Sequence, residues 1–251
     1  MTSLNLVLLD ETQNQAFDTE YHSRKEMEDK ISNIASYFDN RAFSILDLGG
    51  GNGRFLDELL ERFPSSNGVL MDVSEALLAQ NKPHSRKRLV KASVDQIPAL
   101  LHEKFDLITI NWLLHHLVGQ TYRKSHDNAI SLLDQCKDLL SERGMIIVTE
   151  NMFDGVLQTN VPSWLIYSIT SVRTRWFAKI ARRFFNTAGV GVCFNSRNTW
   201  RRIFREAQLA ICDEHQGIVW QKRPMETIAL RCLGLTKVST RHFYLRPASN
   251  G

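Results

Sequence analysis

Several things are missing from this 251-residue sequence. No apolar run approaches the roughly 20 residues needed to span a bilayer. The N-terminal LNLVLL is cut short by Asp10 and Glu11, before it reaches the length of a secretory core. Cys136, Cys193, Cys212 and Cys232 are scattered, with no CxxC spacing, which argues against both a zinc site and a disulfide framework. A reducing, cytoplasmic setting without a bound metal is therefore the expectation. There are no internal repeats, low-complexity tracts or Gly/Ser linkers. Acidic residues are also absent from Arg173 to Arg205, a segment that carries nine arginines and lysines.

What remains is an ordinary globular composition, 43% hydrophobic and 23% charged, with enough apolar material for a core. Short apolar runs alternate with helical patterns, which points to βαβ units and a parallel sheet. KEMEDKISNIASYF (25–38) places Met27, Ile31, Ile34 and Phe38 on one helix face. Strands are expected at 44–49, 68–74, 88–93, 105–112 and 144–150, and helices at 55–63, from Glu75, and over 122–141. A further helix is expected from Asn198, with strands at 214–221 and 241–245. The predicted architecture is one doubly wound α/β domain with a mostly parallel, seven-stranded sheet. Residues 1–40 form a helical cover, 41–150 the core, 151–195 an inserted helical lid, and 196–251 the C-terminal part of the sheet.

ILDLGGGNGRF (45–55) concentrates four glycines in five positions directly after the first strand. Glycine admits positive φ and lets a ligand lie against bare backbone, at an entropic cost. The GxGxxG dinucleotide fingerprint fails, because Arg54 stands in place of its third glycine; a P-loop fails for want of its lysine. The spacing Asp47-x-Gly49-x-Gly51-x-Gly53 instead resembles motif I of the class I S-adenosylmethionine methyltransferases. Three further stretches fit that family in order: Asp72-Val73-Ser74 after the second strand, KASVDQIP (91–98) after the third, and FDLITINWLLHHL (105–117) at the fourth. The likeness runs over about 40–150, and more loosely over 196–246.

The resemblance implies S-adenosylmethionine as cofactor and S-adenosylhomocysteine as product. Asp72 would accept both ribose hydroxyls, and Ser93 with the Val94 backbone would meet the adenine. Asp47 would help hold the methionyl ammonium, Asn111 would reach the same end, and the N-terminus of the helix after the glycines would suit the carboxylate. The family often has an acid where Ser93 stands. For the chemistry, His116 is the favoured general base beside His115, since imidazole titrates nearest neutral pH. The alternative is that both histidines only hold the loop. Glu150 could act as base or orient the acceptor, or simply bind the histidine pair.

The acceptor side of the sequence is less family-like. Tyr21, Asn151, Trp164, Tyr167 and Trp176 are the candidate acceptor contacts. Residues 164–185 place Leu165, Ile169, Val172, Trp176, Ile180 and Phe184 on one apolar helix face, with Arg173, Arg175, Lys179, Arg182 and Arg183 supplying charge. Asn111-Trp112-Leu113-Leu114 lacks the prolines of the amino-methylating [DN]PP[FY] signature, and no cysteine follows proline as in cytosine C5 enzymes. A small, largely apolar acceptor is the expectation, with acidic and carrier-protein-bound molecules inside that class. Peripheral contact with an anionic membrane is a further reading of the basic segment. RNA or protein acceptors, and a non-catalytic S-adenosylmethionine-binding partner, are the competing readings.

Overall fold

The computed structural model describes residues 24–39, 41–155, 161–171, 191–219 and 235–248. Its order is α1 (Arg24–Phe38), β1 (Ser44–Leu48), α2 (Arg54–Arg62), β2 (Asn67–Asp72), α3 (Glu75–Leu78), β3 (Lys87–Lys91), α4 (Ile97–Leu100) and β4 (Phe105–Asn111). Then follow α5 (Tyr122–Asp138), β5 (Leu140–Gly155), α6 (Val161–Thr170), α7 (Arg197–Glu206), β6 (Leu209–Val219) and β7 (Leu235–Pro247). The strands form one seven-stranded sheet in the order β3-β2-β1-β4-β5-β7-β6. β1 pairs in parallel with β2 on one side, Leu46 opposite Val69, and with β4 on the other, Leu46 opposite Ile108. β6 and β7 pair antiparallel, Glu214 opposite Phe243, with bulges on either side of that register. The sheet is thus mixed, as the sequence pattern predicted.

The strand order reverses at β1, the switch point at which open α/β sheets bind ligands beyond their carboxyl ends. β1 can lie there because its apolar residues run continuously rather than alternating, as a strand covered on both faces requires. Ile45, Leu46 and Leu48 are fully buried, as are Leu70, Leu107, Ile108 and Ile110 beside them. In α2, Leu56, Leu59 and Leu60 form the inward stripe. Each such side chain contributes about 1.5–3 kcal/mol on burial. Arg86 closes the C-terminus of α2, its guanidinium donating to the carbonyls of Leu60 at 2.6 Å and Phe63 at 3.1 Å.

By packing, the described residues divide into two compact units. One lies within Asp10–Asn111 and Gln135–Ile147, the other within Trp112–Asp134 and Val148–Gly251. Each is treated by itself below. Several boundaries differ from expectation. β6 and β7 run over Leu209–Val219 and Leu235–Pro247, and β5 runs over 16 residues rather than seven, from Leu140 and on through Met152 and Phe153, both buried. The helix after β2 ends after one turn, at Leu78.

Candidate active site

In the first unit the glycine turn follows β1. Gly49, Gly51 and Gly53 hold φ of 68°, 53° and 75°, which only glycine adopts without strain. Gly50, which the spacing argument passes over, is required for another reason. A Cβ there would lie 2.5 Å from Asp47 Oδ2 and 2.8 Å from the Leu70 side chain. The turn is braced from outside: Asn81 donates to the Gly51 carbonyl at 2.8 Å and accepts from Lys87 Nζ at 3.1 Å. Lys87 in turn holds Asp57 on α2 at 2.6 Å.

Asp72 closes β2 with one carboxylate oxygen on Gly51 N–H at 2.9 Å and the other on Ser74 N–H at 2.8 Å. A carboxylate has about four lone-pair positions, so both oxygens can still accept from a ligand's hydroxyls. Ser74 caps α3, accepting from Leu77 N–H. Ser93 opens the short turn at Val94–Gln96, its N–H donating to Gln96 Oε1 at 3.0 Å. The Val94 side chain is buried, which leaves its backbone as the part that can meet a ligand.

Asp47 is 1% exposed. Its Oδ1 accepts from Thr109 Oγ1 at 2.7 Å, while Oδ2 has no hydrogen-bond partner among the described residues. Burial pushes its pKa up to about 6, against the Thr109 hydrogen bond and the charge of Lys30. Lys30 was not among the residues the sequence pointed to. It lies on the buried face of α1 with Glu26, Ile31, Ile34 and Ala35, and donates to Asn111 Oδ1 at the end of β4. The signal was present, because Lys30 is four residues before Ile34 and so on its face, but a lysine at a helix surface is ordinarily read as solvated.

These features fit S-adenosylmethionine. Bare backbone, an acid at the end of β2, an unsatisfied buried carboxylate oxygen and a buried ammonium complement a ligand with a ribose, an ammonium and a carboxylate.

In the second unit, the chain leaves β4 through Trp112, which holds a φ of 49°. A bulky side chain in that region costs about 1–3 kcal/mol, a strain that surrounding contacts must over-determine. Two hydrogen bonds do so: Trp112 N–H to the Thr149 carbonyl at 2.8 Å, and its indole N–H to Asn151 Oδ1 at 3.2 Å. Asn151 Oδ1 also accepts from Thr240 Oγ1 at 3.1 Å.

One turn further on, His115 Nδ1 lies 2.6 Å from Glu150 Oε2, and His115 N–H meets Oε1 of the same carboxylate at 3.3 Å. Glu150 is fully buried and His115 is 4% exposed. The His115 ring lies against Phe194, at 4.7 Å between centroids, and against His116 at 4.1 Å. The His115 carbonyl accepts from Cys193 N–H at 2.9 Å. His116 is half-buried, and burial together with its neighbour His115 holds its pKa well below the usual imidazole value. Of the two histidines, His115 is the one that Glu150 is seen to bind.

Among the acceptor candidates, Tyr167 is buried in α6, its hydroxyl donating to the Gly119 carbonyl at 2.9 Å. Trp164 on the same helix is 52% exposed. Tyr21 and Trp176 lie outside the described residues, as does the part of the apolar face from Val172 onward. The basic segment is described only in α7. There Glu214 takes the guanidinium groups of Arg197 at 2.6 Å and Arg201 at 2.5 Å, and Arg241 from β7 at 2.9 Å. Arg202 lies 3.7 Å from Glu206. Positive charge in α7 is therefore substantially paired, which a gap in acidic residues along the sequence did not reveal.

Known proteins agree with this architecture. Residues 46–146 match the family model described as a methyltransferase domain. A flavonoid 4'-O-methyltransferase of Mentha piperita is 25% identical over 112 residues, 44% of this chain and 29% of the relative. An O-methyltransferase of Lophophora williamsii is 30% identical over 115 residues, 42% of this chain and 25% of the relative. The chain thus aligns with less than a third of the length of these relatives. Among solved structures, a Burkholderia thailandensis 1,6-didemethyltoxoflavin-N1-methyltransferase, with its named acceptor and S-adenosylhomocysteine bound, superposes with a TM-score of 0.59. It is 16% identical, over 95% of this chain and 85% of its own. A mitomycin 7-O-methyltransferase gives 0.56 at 14% identity, over 94% of this chain and 56% of its own. Residues 46–146 thus match a methyltransferase domain, and the chain has the fold of the class I methyltransferases. No helix among the described residues is long and apolar enough to cross a membrane.

Proposed function

We propose that this protein transfers the methyl group of S-adenosylmethionine to an oxygen or nitrogen of a small, largely apolar molecule. Residues Asp47, Gly49, Gly51, Gly53, Asp72, Ser93, Val94 and Asn111 would hold the cofactor, and His115 would act as general base. The cofactor, when bound, supplies an electrophilic methyl group on a sulfonium.

The observation that carries this reading is the His115–Glu150 contact. A buried carboxylate that accepts from Nδ1–H fixes the imidazole tautomer and leaves Nε2 as the basic nitrogen. A base so oriented can take the proton of a hydroxyl or amine as its lone pair attacks the methyl carbon and the carbon–sulfur bond breaks. Glu150 also stabilises the imidazolium that results. The geometry favours His115 over His116 for this task, because Glu150 meets both the ring and the backbone N–H of His115.

Small-molecule acceptors are supported by the flavonoid, mitomycin and toxoflavin substrates named for the similar proteins. The pairing of Arg197, Arg201 and Arg241 on Glu214 argues against α7 as a phosphate-tracking surface. Tyr167, Trp164 and Asn151 are the described residues best suited to meet an aromatic acceptor, which in this reading includes acidic and carrier-bound molecules.

The test is direct. Purified protein is incubated with S-adenosylmethionine and a panel of phenolic, carboxylic and heteroaromatic compounds. Release of S-adenosylhomocysteine with a 14 Da mass gain on one acceptor is expected from the added CH₂. Failure to bind S-adenosylmethionine or its product in calorimetry would sink the reading.

A further inference from the structure

We propose that Lys30 binds the carboxylate of the methionyl end of S-adenosylmethionine, so that α1 is part of the cofactor site and not only a cover over it. This deepens the cofactor reading above and rests on it.

Lys30 is 1% exposed and Glu26, on the same face, is also buried, whereas Lys25, Glu28 and Asp29 of that helix face water. Its Nζ donates to Asn111 Oδ1 and stands 4.4 Å from the centre of the Phe55 ring, in the first turn of α2 directly after the glycines. Asp47 lies close enough to influence it electrostatically. The ammonium thus meets the end of β4 and the start of α2, two of the elements that frame the glycine turn. A fully buried lysine is costly unless its charge is used.

The charges of the cradle complement the ligand. Asp47 and Asp72 make it acidic, which suits the ligand's ammonium and sulfonium but opposes its carboxylate. Lys30 supplies a buried cation beside Asn111, and an ammonium–carboxylate hydrogen bond is among the stronger contacts a protein offers.

A proton-linked consequence follows. Without ligand, burial lowers the Lys30 pKa to about 7, against the attraction of Asp47 and Glu26. An arriving carboxylate favours the charged form. Binding of a carboxylate-bearing ligand therefore takes up a proton above about pH 7, and affinity falls as pH rises beyond that value. Asp47, with its pKa near 6, is ionised there; Glu26 and Asp72 are the other acidic groups facing the site.

The experiment uses two ligands on the ligand-free protein: S-adenosylhomocysteine, and 5'-methylthioadenosine, which keeps the nucleoside and thioether but has no amino-acid end. By calorimetry, Lys30→Met is expected to weaken S-adenosylhomocysteine about 10- to 100-fold, the range for a hydrogen bond to a charged group. 5'-Methylthioadenosine should bind unchanged. Equal weakening of both ligands, or of neither, overturns the proposal. Should Lys30→Met not fold, the wild-type protein decides. Titrations at pH 8 in buffers of different ionisation enthalpy should register proton uptake with S-adenosylhomocysteine and none with 5'-methylthioadenosine. Identical proton counts overturn it. Wild-type protein that binds neither ligand overturns the cofactor reading itself, and this inference with it.

Discussion

His115 and Glu150 meet in the interior at 2.6 Å, imidazole Nδ1 to carboxylate Oε2, although 34 residues separate them along the chain. Two neighbouring elements make the meeting possible: the turn beyond β4 carries the histidine, and β5 carries the acid. If this pair is the base and its orienter, His115→Ala should lower turnover by about 10²- to 10⁴-fold. Glu150→Gln should lower it by less. S-adenosylhomocysteine affinity should stay within about threefold in both. His116→Ala should retain most of the activity. Turnover in the His115 variant equal to wild type would remove the assignment, while unchanged ligand affinity would show the cofactor site intact.

Gly53→Ala tests the glycine turn in a way that does not depend on turnover. At φ 75° the alanine is strained, and its Cβ would lie 1.9 Å from Asn81 Oδ1. Asn81 would have to leave both the Gly51 carbonyl and Lys87 Nζ. We expect a loss of about 1–3 kcal/mol in urea unfolding, together with weaker nucleoside binding. Adding Asn81→Gly should relieve the collision but not the backbone strain, so the double variant should recover part of the loss rather than add to it. Strict additivity would show that Asn81 is not the obstacle.

Glu214 organises the edge of the sheet formed by β6 and β7. Burial alone would raise its carboxyl pKa, yet the hydrogen bonds and charges of Arg197 and Arg201 outweigh that and hold it below the usual glutamate value. A carboxylate whose folded-state pKa is depressed stabilises the native state above its unfolded pKa. That contribution is lost as pH falls through the folded value. Glu214→Gln should therefore cost about 2–4 kcal/mol at neutral pH, since three guanidinium groups lose their shared anion. It should also flatten the decline in stability below about pH 4.5. Thermal melts from pH 3 to 7 would reveal both effects; a variant as stable as wild type at pH 7 would mean that the cluster is merely a solvated arrangement.

Much of this molecule can be read in one dimension. The apolar residues Ile45, Leu46 and Leu48 and the glycines beyond them announce a buried strand and a bare turn, because strand burial and positive φ are local demands on residue type. Asp72 and Asn111 follow from the same logic, each being a polar residue that ends a strand. Ser74 is legible too, as a cap at the start of a helix. These conclusions need no knowledge of which strand lies beside which.

Other features have no signature along the chain. Lys30 looks like one more charged residue on an amphipathic helix, and only the packing of α1 turns it inward against Asn111 and Phe55. The choice between His115 and His116, identical neighbours in sequence, is made by Glu150 arriving from β5. The arginines of α7 read as free positive charge until Glu214 comes from β6 to meet Arg197 and Arg201. The chain's own order thus determined the succession of strands and helices, the glycine turn and the acids beside it, since each is a demand on residue type within a few positions. The tertiary structure decided which charges are buried and which imidazole is oriented, because those depend on partners from distant segments and on the cost of taking an ion out of water.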